Sequence, residues 1–203
     1  MGNNSLSVIM SVFNEQESQV REAVSSILNQ NLFNLELIIV CDNPNRNDLE
    51  DITRSFSDNR IVLLKNQSNI GLAMSMNRAV ERSKSEILVR MDADDIALPD
   101  RLVKELEVIE TKGVDVVFTD FEYIDMNSNK IEGMKHHFPV AIEGNIDSHI
   151  IAHRPNIIHH PTVMMKRCVF EKVGGYRDFP CSQDVDLWYR MKDFFNIALI
   201  LIV

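Results

Sequence analysis

The segment RMDADD, Arg90–Asp95, places three carboxylates, Asp92, Asp94 and Asp95, within four consecutive positions. It follows the apolar EILV and precedes IALP, so the acids stand at the end of what reads as a buried strand. Carboxylates at i and i+2 beyond a strand end can turn into one cleft, where their repulsion is costly unless a cation sits between them. A small set of hard oxygen ligands, with room left for water and phosphate, suits Mg²⁺ or Mn²⁺. The same residues also suit a turn and a helix start ahead of ALPDRL, because Asp is a common turn and cap residue. Three of them after a continuous apolar run favour the cation. A divalent ion there would let a chain of formal net charge −9 hold a diphosphate. That acidity also argues against a broad basic footprint, so nucleic acid is not an expected partner.

A second constellation is SQDVDLW, 182–188. Ser182 suits an N-cap, with Asp184 and Asp186 in the first helical turn, where the helix dipole stabilises anions. The functional alternative is a carboxylate general base with the aromatic Trp188 beneath a sugar. Histidines occur as pairs at 136–137 and 159–160, with His149 and His153 four apart between them. No helix carries an H-x-x-x-H pair together with a Glu, which leaves zinc poorly supported. Cys41, Cys168 and Cys181 share no metal-ligand spacing and are odd in number, which fits a reducing cytoplasm. No P-loop, G-x-G-x-x-G or G-x-S-x-G motif is present.

These residues must be positioned by the elements around them. Apolar, β-branched runs at 6–13, 35–41, 61–65, 86–91 and 114–120 alternate with helical spacing at 17–30, 47–57, 71–83 and 100–111. On the third helix the apolar face reads Leu72, Met76, Ala79 and Val80. The strand–helix period is that of βαβ units, and continuous apolar strands imply a parallel sheet covered on both faces. Such sheets bind ligands beyond the carboxyl ends of their strands, at a topological switch point. The segments there are NEQE, DNPNRND, NQSNIG and DADD. The second half is less regular. It predicts a hairpin over 123–135 with NSN at its turn, a strand at 161–167, a short helix at 168–176 closed by Gly174 or Gly175, and a helix over 182–195. Residues 139–158 carry no clear pattern.

Taken together, SVIMSVFNE, NIGLAMSMNRAV, EILVRMDADDIALPDRL, HHPTVMMKR, VGGYRD and QDVDLWYRM resemble a family-2, GT-A-type inverting glycosyltransferase. The subgroup they are most similar to builds bacterial surface polysaccharides, including O-antigen-type chains. The resemblance covers about residues 6–195. It implies an α/β GT-A fold: a Rossmann-like, mostly parallel central sheet with helices on both faces and a smaller mixed acceptor-side region. One domain, 1–203, would comprise a nucleotide-sugar-binding half, 1–120, and an acceptor-side half, 121–203. The implied donor is a nucleotide sugar, most often a UDP-sugar. The implied acceptor is a saccharide or lipid-linked saccharide. Asp92 and Asp94 would form the D-x-D pair: Asp92 on the ribose and metal side, Asp94 on the Mn²⁺ or Mg²⁺ that grips the diphosphate, with Asp95 a secondary candidate. Ser11, Phe13 and Glu15 would line the donor pocket, with Phe13 standing where the family usually has Tyr beside the uracil. Asp42 would accept from the base, and Asn69 and Gly71 would line the next loop. Asp184 would be the general base, taking a proton from the acceptor hydroxyl as it attacks the anomeric carbon.

The sequence departs from the family pattern at several points. Gln183 replaces the usual Glu before Asp184, and Asp186 is a rival base. Cys41 takes the place of an acid after the second strand. Family members usually continue beyond the D-L-W helix, so the apolar NIALILIV at 196–203 suggests truncation or a homodimer contact through an unpaired strand edge. Two further functions compete. One is a catalytically inactive nucleotide-sugar-binding remnant. The other is a sugar-1-phosphate nucleotidyltransferase, disfavoured because SVFNEQES after the first strand contains neither Gly nor Lys. No signal peptide and no apolar run of spanning length is seen. The expected place is the cytoplasm, with peripheral contact at the inner membrane through a lipid-linked acceptor.

Overall fold

A computed structural model describes residues 5–135 and 144–201. Its first part is the expected alternation. It runs β1 (Leu6–Val12), α1 (Glu17–Leu28), β2 (Leu35–Cys41), α2 (Leu49–Ser55), β3 (Ile61–Lys65), α3 (Gly71–Arg82), β4 (Ile87–Arg90), α4 (Arg101–Lys112) and β5 (Val116–Thr119). Then follow β6 (Glu122–Ile124), β7 (Lys130–Lys135), β8 (Gly144–Ile146), α5 (Ser148–His153), β9 (Met164–Lys166), α6 (Arg167–Lys172), α7 (Gln183–Met191) and β10 (Ile197–Ile200). Two 3₁₀ turns, Pro155–Ile157 and His160–Thr162, lead into β9.

The main sheet has the order β3-β2-β1-β4-β9-β5-β10-β8. β1 pairs in parallel with β2 on one side and β4 on the other. The chain moves outward from β1 through β2 to β3, then returns to β1's other flank as β4. Loops leaving β1 and β4 therefore diverge, and a crevice opens between their carboxyl ends. β9 runs antiparallel between β4 and β5. Its direction brings residues just before it to the same edge as the carboxyl end of β4, where Arg90 N–H donates to Val163 O at 2.8 Å.

Alternation along each strand divides the core. Leu6, Val8, Met10 and Val12 of β1 pack on one face with α1 and α4, through Val20, Val24, Ile27, Leu102, Leu106 and Ile109. Ile9, Ile38, Val40 and Leu88 point to the other face, against Met76, Ala79 and Val80 of α3 and Leu187, Trp188 and Met191 of α7. Burial of both faces explains why the strands read as continuous apolar runs. On α3, Ala73 takes the buried place expected of Leu72, which is 37% exposed. α4 ends at Gly113, whose φ of 66° is the left-handed C-cap conformation.

The predicted hairpin is present as antiparallel β6–β7. Its turn is tied by Asp125, whose carboxylate accepts from the N–H groups of Asn127 and Asn129 at 2.8 and 3.0 Å. These backbone donors hold the Asp125 carboxyl below its ordinary pKa. The apolar tail departs from expectation. β10 pairs with β5 in parallel and with β8 antiparallel, and Ile197, Ala198 and Leu199 are buried. It is an interior strand with both edges paired, so the unpaired edge expected there is absent. Among the described residues, no helix is long and apolar enough to cross a membrane.

Candidate active site

β4 delivers the acidic segment to the switch point. Carboxylate oxygens of Asp92, Asp94 and Asp95 all lie within 4.8 Å of one another. Burial, then the charges of Asp92 and Asp94, push the Asp95 carboxyl up to about 6. Burial, then Asp92, with a smaller contribution from Glu15, raises Asp94. Three converging hard oxygen donors whose ionisation is mutually opposed fit a divalent cation, which would remove that opposition.

The strand end is braced by two arginines absent from the sequence-based site. Arg90 is 2% exposed, and its guanidinium donates to Met91 O and pairs with Asp92. Arg101, at the start of α4, donates Nη2–H to Arg90 O at 3.0 Å and pairs through Nε with the fully buried Glu105 at 3.2 Å. Burial dominates over this pairing and pushes Glu105 up to about 7. The P-x-R in IALPDRL thus holds the main chain just ahead of the aspartates.

The loop after β1 sits beside this cluster. Glu15 accepts from Phe13 N–H at 2.7 Å, and Phe13 is 38% exposed at the crevice. Ser11, half-buried, lies on β1 opposite Val40. Asp42 is 3% exposed, and its carboxylate is already engaged. One oxygen accepts from Asn66 Nδ2 at 2.7 Å and Ile70 N at 2.9 Å, and the other from Gly71 N at 2.9 Å. In this structure Asp42 ties down the 66–71 loop and the start of α3. Asn69 Oδ1 also accepts from Gly71 N at 2.9 Å, and Gly71 has φ 82°, which a side chain would strain. Asn69 and Gly71 are both exposed there.

The second constellation lies at the start of α7. Asp186 pairs with Arg177 at 3.2 Å and with Arg190 at 2.6 Å. Arg190 also donates to Val173 O and, at 2.8 Å, to Gly175 O. Asp184 is half-buried and makes no hydrogen bond or ion pair among the described residues. The N-cap expectation holds in position without its side-chain bond, and the reading of Trp188 is corrected. Ser182 occupies the N-cap position in the left-handed region, φ 59°, and its side chain makes no cap bond. Trp188 is fully buried, edge-on to His160 with centroids 6.1 Å apart, so it is core and cannot lie beneath a sugar.

Tyr176, in the segment between α6 and α7, is buried. Its backbone is held by Asn77 of α3 through paired bonds, Asn77 Nδ2–H to Tyr176 O at 2.8 Å and Tyr176 N–H to Asn77 Oδ1 at 2.9 Å. The preceding Gly175 has φ +67°, and a Cβ there would meet Asn77 Oδ1 at 2.8 Å, so the turn requires glycine. The Tyr176 hydroxyl lies 2.6 Å from His160 Nε2. Burial raises the phenol's pKa, and the charges of both Asp184 and Asp92 add to the rise. Tyr176 is thus within electrostatic reach of both groups. Burial, then the Arg90 charge, keeps His160 neutral.

His149 and His153 stack on α5, centroids 4.1 Å apart, with no third ligand among the described residues. His136 and His137 lie outside the described residues. Arg90, Asn77, His160 and Tyr176 were missed as contributors to this region. All four lie inside stretches that carry the family resemblance, NIGLAMSMNRAV, EILVRMDADDIALPDRL, HHPTVMMKR and VGGYRD, and that was their sequence signal.

Known proteins share this sequence pattern and this fold. The family model described as Glycosyl transferase family 2 matches residues 7–174. The chain is 33% identical over 191 residues to an uncharacterized glycosyltransferase of Methanocaldococcus jannaschii, covering 91% of this chain and 63% of that protein. It is 32% identical over 189 residues to the O-antigen biosynthesis glycosyltransferase WbnJ of Escherichia coli, covering 92% and 71%. Among solved structures, S. aureus TarS 1-349 in complex with UDP-GlcNAc superposes with a TM-score of 0.79 at 15% identity, over 97% of this chain and 56% of that one. The mannosyltransferase PcManGT of Pyrobaculum calidifontis, in complex with GDP-Man and Mn²⁺, gives 0.70 at 16% identity, over 98% and 56%. These two share the fold; the chain spans little more than half of their length.

Proposed function

The chain belongs to glycosyl transferase family 2, and from that premise we propose that it moves a sugar from a nucleotide-diphosphate donor to a hydroxyl of a saccharide or lipid-linked saccharide, with inversion, in bacterial surface-polysaccharide synthesis. The observation that carries this reading is the convergence of Asp92, Asp94 and Asp95 within 4.8 Å at the carboxyl end of β4. Asp92 and Asp94, with Asp95 beside them, would hold Mn²⁺ or Mg²⁺, which when bound supplies Lewis-acid neutralisation of charge on the leaving diphosphate. A UDP-sugar is the preferred donor, in keeping with the UDP-GlcNAc complex of TarS. Ser11, Phe13, Glu15, Asn69 and Gly71 would line the nucleotide, with Asp42 shaping the loop around it.

Asp184 is the general base in this reading. Its lack of an ion pair supports the choice over Asp186, which is engaged by Arg177 and Arg190. Asp184 takes the acceptor hydroxyl's proton as that oxygen bonds to the anomeric carbon. The bond from that carbon to the phosphate oxygen breaks on the opposite face, and one displacement inverts the configuration. The lipid-linked form of the acceptor would bring the protein to the cytoplasmic face of the inner membrane.

Calorimetry of UDP binding with and without Mn²⁺ tests the donor site. Binding should require Mn²⁺ in the unaltered protein and weaken by about 100-fold in Asp94→Ala. Metal-independent or absent UDP binding overturns it. Metal-dependent binding without transfer would instead make the chain a nucleotide-sugar-binding module.

A further inference from the structure

We propose that Arg90 is a positioning residue for the donor site: its buried guanidinium fixes the Asp92 carboxylate in the orientation that receives the cation and the donor. The inference rests on the donor-site reading above and adds a residue to it.

The placement follows from strand alternation. On β4, Val89 packs in the core shared with α1 and α4, whereas Leu88 packs in the core shared with α3 and α7. Arg90, two positions after Leu88, stands on the Leu88 side and pairs with Asp92 just beyond the strand. The guanidinium is almost wholly enclosed, with a side-chain exposure of 1%, whereas that of Asp92 is 35%. One partner is therefore locked and the other is open to a ligand. The fork is divided between Met91 O and Asp92 Oδ1, so it holds the main chain and the carboxylate at once. From the other side Arg101 holds the carbonyl of Arg90 itself.

The two Arg90 donors that find partners both serve the strand end. Here Arg90 Nε has no partner among the described residues, and the neighbouring strand residues Ile87, Leu88 and Val89 are apolar. The cation sits where a strand of this kind has no packing need for one. Its charge, taken alone, opposes the binding of another cation nearby. Its geometry favours that binding, by removing the freedom of Asp92 to turn away. These two effects have opposite signs, which makes them separable. Lysine carries the charge but cannot present a planar fork to two acceptors.

The test uses Mn²⁺ and UDP as probes, by calorimetry, on the unaltered protein, Arg90→Gln and Arg90→Lys, with thermal unfolding of each. Loss of an outer residue that orients a metal ligand weakens metal affinity by roughly 10- to 100-fold. Both variants should lose affinity for UDP in Mn²⁺ on the order of tenfold, although Arg90→Gln makes the site more negative. Unchanged or tighter binding in Arg90→Gln would overturn the proposal, and so would full recovery in Arg90→Lys, which would reduce Arg90 to a counter-charge. If Arg90→Gln does not fold, Arg90→Lys decides alone: weakened binding supports positioning and unaltered binding refutes it. Failure of the unaltered protein to bind UDP overturns the donor-site reading and this inference with it. Binding that persists unchanged in the variants overturns this inference alone.

Discussion

The carboxyl end of β4 and the start of α7 are both acidic, yet they handle their charge in opposite ways. At β4, Asp92, Asp94 and Asp95 crowd together with Glu15 in their field, and Arg90 supplies an ion pair to Asp92 alone. At α7, Asp186 is held by Arg177 and Arg190, and Asp184 is left without a partner. Excess negative charge at the first site would be relieved by a cation from outside. At the second, the charges are matched around Asp186, and Asp184 is left open for the proton transfer proposed above. Acidic residues therefore report function here only through what their neighbours leave unmatched.

The largest expected break in this comparison is Asp184→Asn. Removing a general base should lower the transfer rate by about 10³-fold, while Mn²⁺-dependent UDP affinity stays within about twofold of the unaltered protein. Steady-state transfer and calorimetry on the same preparation check both halves. Comparable turnover would return the base assignment to Asp186 or to another group.

A second prediction separates a buried acid from the cation site. Glu105 has its folded-state pKa raised from 4.5 to about 7, by burial. The folded chain therefore binds an extra proton between those values, and its stability falls as pH rises through that window. In Glu105→Gln this contribution, about 3 kcal/mol, should vanish from urea unfolding measured between about pH 4.5 and 7. Asp95, raised to about 6, adds a smaller fall of the same sign that Mn²⁺ should abolish. A pH slope unchanged in Glu105→Gln would place the linkage elsewhere.

The smallest effect belongs to Asp186→Asn. Its pair with Arg190 is half-buried and that with Arg177 is exposed, so its loss should cost about 1–2 kcal/mol in denaturant unfolding. It should slow transfer much less than Asp184→Asn, through loosening of the turn that Arg190 holds at Val173 and Gly175. A catalytic loss equal to that of Asp184→Asn, with stability unchanged, would erase the distinction between the two aspartates.

Much of the architecture was legible from the chain. Each βαβ period, the apolar strands and the hairpin rest on patterns shorter than about fifteen residues, where side-chain alternation follows backbone geometry. DADD was legible as an acidic cluster at a strand end, because three acids directly follow an apolar run, and their carboxylates do converge. The tail at 197–200 was not legible as an interior strand, because its partners Val116–Thr119 and Gly144–Ile146 lie far back in sequence. Trp188 was misplaced beneath a sugar because helical position alone does not say which side of α7 meets the sheet.

The sequence by itself determined the α/β alternation, the family and the identity of the acidic groups, since these depend on local period and on motif order. Tertiary structure decided how those groups differ. Asp42 was read as a nucleobase acceptor, and folding engages it with Asn66, Ile70 and Gly71, 24 to 29 residues away. Asp184 and Asp186 are near-equivalent in the chain, and Arg177 and Arg190 divide them. Tyr176 stands near both Asp92 and Asp184 because Asn77, 99 residues earlier, holds its backbone. Hydrogen bonds and ion pairs act over a few ångströms in space. Which residues share them is therefore set by the closure of the sheet, and the order of residues along the chain does not reveal it.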